Sequence, residues 1–244
     1  MKNVGAAISR PRFEEITKKN IMEDKQMKSI NPELKQYIET EILSQYDVNN
    51  IGGHGKEHIQ TVIERSFEII NEFELDVNKD MVYTIAAFHD IGYKENPEQH
   101  EEVSSTKFKN DKNITKFFND EQITIIAEAI VDHRASLEYE ARSIYGKIVS
   151  SADREISVEN MLKRSIQYQA DKLSAQNPTI NEIIEASYKK LSSKYGKGGY
   201  AKMYYPDKKY LEYLNGMQKL LENKEEFIKT EMELAKEYKN DKQH

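Results

Sequence analysis

Apolar residues recur every three or four positions through most of the chain after residue 30, which is the spacing of one face of an α-helix. The clearest examples are the segments 59–73, 81–91, 123–133 and 145–156. The sequence has no segments rich in Val, Ile and Thr with strict alternation of apolar and polar positions, so we predict no strand. The pattern predicts an all-α protein, a helical bundle that continues into an extended helical C-terminal part.

Cap and turn signals set the limits of the predicted helices. Asn31 and Pro32 are typical of a helix start, and that helix should run to about Tyr46. The glycine-rich residues 52–55 predict a turn, and Gly92 is placed to end the helix over 81–91. Further helices are predicted over residues 95–110, 120–135, 137–151, 158–172, 180–195 and 208 to about 237. Residues 1–30 lack clear periodicity and are predicted to form an irregular leader, followed by a single helical domain over residues 31–244.

Histidines are concentrated in one third of the sequence, where five of the six occur. These five are His54, His58, His89, His100 and His133. In the four segments named above, helical spacing places His58, His89-Asp90, His133 and Asp153 on the sides that should face the core.

Burying such groups unpaired would cost several kcal/mol each. For any single histidine, the alternative is an ordinary core residue with a hydrogen bond. One shared metal ion would satisfy all of these groups, and imidazole and carboxylate together suit a first-row divalent metal. The sequence therefore predicts a buried metal centre.

Composition excludes several classes of protein. The net charge of −6 argues against a general nucleic-acid-binding surface, and the absence of cysteine excludes disulfides, zinc ribbons and thiol nucleophiles. No apolar run approaches the roughly 20 residues that span a bilayer. Residues 1–20 carry no apolar segment like the core of a signal peptide. We therefore expect a cytoplasmic protein without stable nucleic-acid or membrane binding.

Three motifs resemble those of the HD-domain metal-dependent phosphohydrolases. They are His-Gly-Lys-Glu-His-Ile at residues 54–59, Phe-His-Asp-Ile-Gly at 88–92 and Ala-Asp-Arg at 152–154. The resemblance covers about residues 52–157 and implies an HD-like helical bundle. It also implies a metal set consisting of His58, His89, Asp90 and Asp153. His100 and His133 resemble histidines that line the pocket or, in dinuclear branches of the family, bind a second metal.

The function expected from this resemblance is hydrolysis of a small phosphorylated substrate, for which a nucleotide is the preferred candidate. The bond that is cleaved would be that of a phosphomonoester, a phosphodiester or a phosphoanhydride. The ligand types suit Mn²⁺, Fe²⁺, Co²⁺, Ni²⁺ or Zn²⁺, with Mg²⁺ a candidate for a second site. Such an ion lowers the pKa of coordinated water and polarises a phosphoryl oxygen. His133 is the candidate general acid, since histidine titrates near neutral pH. The candidate substrate-binding residues are His54, Lys94, His100 and Arg154.

Two other functions stay open at this stage. A non-catalytic helical sensor or scaffold would keep the metal for stability. Residues 54–58 also fit the H-x-x-E-H pattern of inverted zinc peptidases, with Glu57 as base, although this leaves His89, Asp90, His133 and Asp153 unexplained.

Two features of the C-terminal part are open as well. Residues 194–202 are rich in glycine and lysine and predict either a flexible loop or a phosphate-binding segment. The long C-terminal helix is interpreted as a packing face or as the dimerisation face of a homodimer.

Overall fold

The computed structural model describes residues 30–47, 54–201 and 203–241, and within these ranges every regular element is a helix. The prediction of an all-α protein is therefore confirmed. The leader predicted over residues 1–30 lies outside the described residues except for Ile30, and so do the first two residues of the turn predicted at 52–55. Across the described residues, no helix combines the length and apolarity needed to cross a membrane.

The first half of the described chain forms eight helices. They are α1 (Pro32–Tyr37), α2 (Leu43–Asp47), α3 (Lys56–Glu72), α4 (Lys79–Phe88), α5 (His100–Asn110), α6 (Lys112–Thr115), α7 (Asp120–Val131) and α8 (Ile144–Ala152). A π-helical turn (Ile38–Ile42) joins α1 to α2. The predicted start of α1 is confirmed, since the Asn31 side chain accepts hydrogen bonds from the backbone N–H groups of Glu33 and Leu34.

The second half contains four longer helices. They are α9 (Val158–Leu173), α10 (Ile180–Tyr195), α11 (Lys208–Glu222) and α12 (Lys224–Asp241). A 3₁₀ turn (Ser174–Gln176) follows α9. The prediction for α10 is confirmed at both ends, because Thr179 and Glu182 form a capping box and the helix ends at Tyr195.

Five predicted helix limits are wrong, and local capping explains the two at helix starts. The helix predicted to be ended by Gly92 already ends at Phe88, with His89 as its C-cap. The helix predicted from residue 95 begins at His100, because the Asn96 side chain accepts hydrogen bonds from the N–H groups of Glu98 and Gln99 and forms a turn instead. The helix predicted to residue 135 ends at Val131. The helix predicted from residue 137 begins at Ile144 and is capped by Ser143. The helix predicted from residue 208 to about 237 is broken at Asn223 into α11 and α12.

The buried apolar side chains form two separate cores. The first core lies among α1 to α8 and includes Ile59, Ile85 and Ile130. The second core lies among α9 to α12 and includes Leu162 and Met217. The region expected to form a single domain, residues 31–244, therefore contains two hydrophobic clusters. That these two clusters belong to one domain stays a prediction.

Buried polar contacts join the two halves. Arg65 of α3 donates from Nη1 to the backbone carbonyls of Ala152 and Arg154, which flank Asp153. Its Nη2 donates to Asp207 Oδ2 at 2.9 Å. The other oxygen of Asp207 accepts the N–H of Tyr210 and thereby caps α11. Arg65 thus connects the chain around a predicted metal ligand to the N-terminus of α11 in the second half.

Candidate metal centre and its cavity

The predicted metal ligands lie at the ends of helices. His58 is in the first turn of α3, His89 caps the C-terminus of α4, and Asp153 caps the C-terminus of α8. His133 follows α7 by two residues. The C-terminal end of a helix carries a partial negative charge, so the ends of α4, α7 and α8 favour a cation among these side chains.

Three backbone carbonyls fix the protonation of three histidines. The Nδ1–H of His89 donates to the carbonyl of Ala86 at 2.8 Å, and that of His100 to Pro97 at 3.0 Å. The Nδ1–H of His133 donates to Ile130 at 2.6 Å. Because a carbonyl can only accept, the proton must be on Nδ1, which leaves Nε2 to face the other site residues. This is the orientation that a metal-binding imidazole requires.

One oxygen of Asp90 belongs to a first cluster of ligand atoms. Asp90 Oδ2 lies 3.2 Å from His89 Nε2, 3.5 Å from His58 Nε2 and 2.5 Å from His54 Nδ1. Asp153 Oδ1 lies 3.1 Å from His58 Nε2. The structure therefore brings together all four residues of the predicted metal set, and His54 joins them.

The other oxygen of Asp90 belongs to a second cluster. Asp90 Oδ1 lies 3.2 Å from His100 Nε2 and 3.5 Å from His133 Nε2. The two Nε2 atoms are 3.1 Å apart. The Asp90 carboxylate is thus shared by two groups of histidines, one on each oxygen.

The donor set fits a divalent cation in each cluster. Asp90 Oδ1 is buried without a hydrogen-bond partner among the described residues. In the neutral rings, the Nδ1 proton leaves Nε2 of both His100 and His133 as an acceptor, which a metal ion would satisfy. Burial lowers the pKa of His58, but hydrogen bonds to Asp153 and Asp90 outweigh it and raise that pKa to about 10. Asp90, which is buried, and Asp153, which is partly buried, therefore favour positive charge beside them, which a metal ion would provide.

Comparison with known families agrees with this geometry. Residues 55–156 match the family model described as HD domain. The chain carries an HD domain. The family resemblance inferred from the motifs is therefore confirmed, and the HD domain belongs to a superfamily of metal-dependent phosphohydrolases. No curated protein and no solved structure matches the chain.

Gly92 explains how the HD domain brings His100 beside Asp90. A Cβ atom on Gly92 would lie 2.7 Å from the carbonyl oxygen of His100 and 2.8 Å from the backbone nitrogen of Ser104. The Gly92 N–H donates to Ser104 Oγ at 2.9 Å. The first turn of α5 therefore packs directly on the backbone at residue 92, which only glycine permits.

A cavity of about 420 Å³ opens at the metal centre, within the usual size range of small-molecule sites. One wall belongs to the HD domain and includes Asp90, His100, His133, Asp153 and Arg154. The opposite wall is formed by α9, α10 and the turn after α10, outside the HD-domain match. Its polar and aromatic residues are Arg164, Ser165, Tyr168, Lys190, Lys194, Tyr195 and Tyr200.

The predicted substrate-binding residues have different positions. His54, His100 and Arg154 line the cavity. The expectation for Lys94 is not supported, because the turn after Asp90 leaves Lys94 exposed and away from the cavity. The neighbouring Tyr93 ring instead stacks on the His54 ring, with 3.9 Å between the ring centroids. His133, the predicted general acid, is buried beside His100 and Asp90. Burial lowers the pKa of His133, so this geometry favours metal binding over proton donation.

Sequence reasoning missed the cations of the opposite wall. Lys190 and Lys194 are one turn apart on α10, and Arg164 projects from α9. The only sequence signal was the glycine- and lysine-rich segment 194–202. Residues 196–199 do form a turn, but Lys194 is in the last turn of α10 and faces the cavity.

Proposed function

We propose that this protein is a phosphohydrolase that uses divalent metal ions to hydrolyse a small phosphorylated substrate, a nucleotide. The observation that carries the proposal is the Asp90 carboxylate, shared by two histidine clusters beside the cavity. Two exposed tyrosines support the nucleotide: Tyr168 is 48% exposed and Tyr200 is 51% exposed, although both line the cavity. Tyrosine rings in such positions stack well on nucleobases.

Each part of the site has a role in this proposal. His58, His89, Asp90 and Asp153 would hold one metal ion, and Asp90, His100 and His133 would hold a second. Bound metal supplies Lewis acidity and lowers the pKa of water. Arg154 adds a fixed positive charge, since its guanidinium donates to Ser150 Oγ at 2.7 Å and lies beside Asp153. That charge would hold a phosphoryl oxygen and stabilise the negative charge of the transition state.

The geometry does not favour the peptidase alternative. Helix α3 begins at Lys56, so His54 is not on the helix that this motif requires. Glu57, the base in that mechanism, is exposed and does not line the cavity. The sensor or scaffold alternative shares the metal site and is separated from an enzyme only by an activity assay.

The test is to load purified protein with Mn²⁺, Co²⁺ or Mg²⁺ and to measure phosphate and pyrophosphate release from a nucleotide panel. His58→Ala, His89→Ala and Asp90→Ala should lose both metal, measured by elemental analysis, and activity. Asp76→Asn, at an exposed carboxylate away from the site, should keep both. A wild-type protein that retains metal but releases no phosphate from any substrate would favour the sensor or scaffold.

A further inference from the structure

The wall of the cavity opposite the metal centre has an excess of positive charge. Lys190 and Lys194 face the cavity from α10, and Arg164 faces it from α9. Among the described residues, no carboxylate lies within ion-pair distance of either lysine. The carboxylate nearest to Arg164 is that of Glu155, at 3.9 Å, which is a weak pair for an exposed arginine.

Placing these cations together opposes folding. Like charges four residues apart on a helix, such as Lys190 and Lys194, destabilise it. The ammonium of Lys190 lies 3.3 Å from the centre of the Tyr168 ring, which holds it against α9. Burial and the neighbouring charges of Arg154 and Lys190 lower the pKa of Lys194 to about 8. A bound anion would relieve this repulsion.

The position of the cations limits what they can bind. The phosphoryl group that reacts must lie at the metal ligands on the HD-domain wall. Lys190, Lys194 and Arg164 belong to α9 and α10, outside the HD domain, so a substrate that contacts them would extend from the metal ligands across the cavity. Lysine and arginine in a concave site are the usual partners of phosphate oxygens.

We infer that Arg164, Lys190 and Lys194 bind a second phosphate group of the substrate, so that the substrate is a nucleoside di- or triphosphate rather than a monoester. This inference rests on the proposed function and adds the substrate class. Hydrolysis adds water across a P–O–P linkage: one P–O bond forms to the oxygen of water, the bridging P–O bond breaks, and the protons of water are divided between the products and solvent.

The experiment compares Lys190→Gln, Lys194→Gln and their double variant with the control Lys189→Gln, which changes an exposed lysine on the same helix. Calorimetry on metal-free protein measures binding of inorganic tripolyphosphate and of orthophosphate. Kinetics on manganese-loaded protein compare a nucleoside triphosphate with p-nitrophenyl phosphate, and circular dichroism checks that each variant is folded.

The double variant should bind tripolyphosphate at least about tenfold more weakly, because two charged hydrogen bonds are lost. The loss for orthophosphate should be several times smaller. KM should rise more for the triphosphate than for p-nitrophenyl phosphate, and Lys189→Gln should match the wild type. A double variant that binds tripolyphosphate as tightly as the wild type, or a wild type that does not bind it, overturns the inference. Absence of hydrolysis with every metal, together with weakened tripolyphosphate binding in the double variant, overturns the proposed function and keeps the anion site.

Discussion

Glu231 makes the second core sensitive to pH. This residue of α12 is 0% exposed, and its Oε2 has no hydrogen-bond partner among the described residues. Its Oε1 lies 2.5 Å from Ser187 Oγ, which in turn lies 2.7 Å from Ser165 Oγ. The Ser187 hydroxyl has one proton, so a protonated Glu231 that donates to Ser187 lets Ser187 donate to Ser165. Burial raises the pKa of Glu231 from 4.5 to about 8, although the Ser187 hydrogen bond opposes the rise.

The sign of the effect follows from proton binding. Unfolded chains release the Glu231 proton near pH 4.5, whereas the folded protein keeps it until about pH 8. Between these values the folded state binds more protons, so this residue's contribution to the free energy of unfolding falls as pH rises. The fall starts above pH 4.5 and levels off above pH 8. The pKa difference corresponds to an upper limit of about 5 kcal/mol at about 1.4 kcal/mol per unit.

The test is Glu231→Gln, which keeps the shape of the side chain and cannot ionise. Urea unfolding followed by circular dichroism gives the free energy of unfolding at pH 5, 7 and 8.5. Relative to the wild type, the variant should gain at least about 2 kcal/mol between pH 5 and 8.5. Glu233→Gln, at an exposed position on α12, should show no such gain. A Glu231→Gln difference that is constant with pH refutes the reasoning, because the carboxyl would then titrate equally in both states.

Three further predictions concern the metal centre. Removal of metal with a chelator should lower the melting temperature by several degrees, because the ions bind the folded state. An unchanged melting curve after verified metal removal would refute a metal site among packed helices. His133→Ala should retain one metal ion per chain and lose another in elemental analysis, because the first cluster stays intact; unchanged metal content with full activity would make His133 a core residue. Arg65→Lys should weaken metal affinity about tenfold, because a single ammonium nitrogen cannot occupy both the Nη1 position beside the two carbonyls and the Nη2 position beside Asp207. Unchanged affinity with lower stability would restrict Arg65 to packing.

The metal ligands could be predicted from sequence because each is fixed by its own helix. Three- and four-residue spacing places His58 and Asp153 on apolar faces, and such faces must meet in a core. The helix ends could not be predicted as well, because they depend on single side-chain hydrogen bonds such as those of Asn96. For this reason the sequence pattern places His133 within a helix, whereas the structure places it two residues after the end of α7.

The opposite wall of the cavity was missed for a different reason. Lys190 and Lys194 lie on α10, which packs in the second core. Spacing within α10 does not reveal that this helix also faces the cavity at the metal ligands. Lys94 shows the reverse relation between sequence and structure, since it is close to Asp90 in sequence but is exposed to solvent. Chain proximity favoured Lys94, which does not line the cavity, whereas tertiary packing places Lys190 and Lys194 on the cavity wall.

The division into two cores has a consequence for how such a protein can diverge. Lys190 and Lys194 lie on α10, which packs in the second core, while His58, Asp90 and Asp153 belong to elements of the first core. The Arg65–Asp207 pair is a buried polar link between the two halves. We therefore expect substrate preference and metal chemistry to be separable traits. A laboratory library confined to α9 and α10 should yield altered selectivity at undiminished metal content.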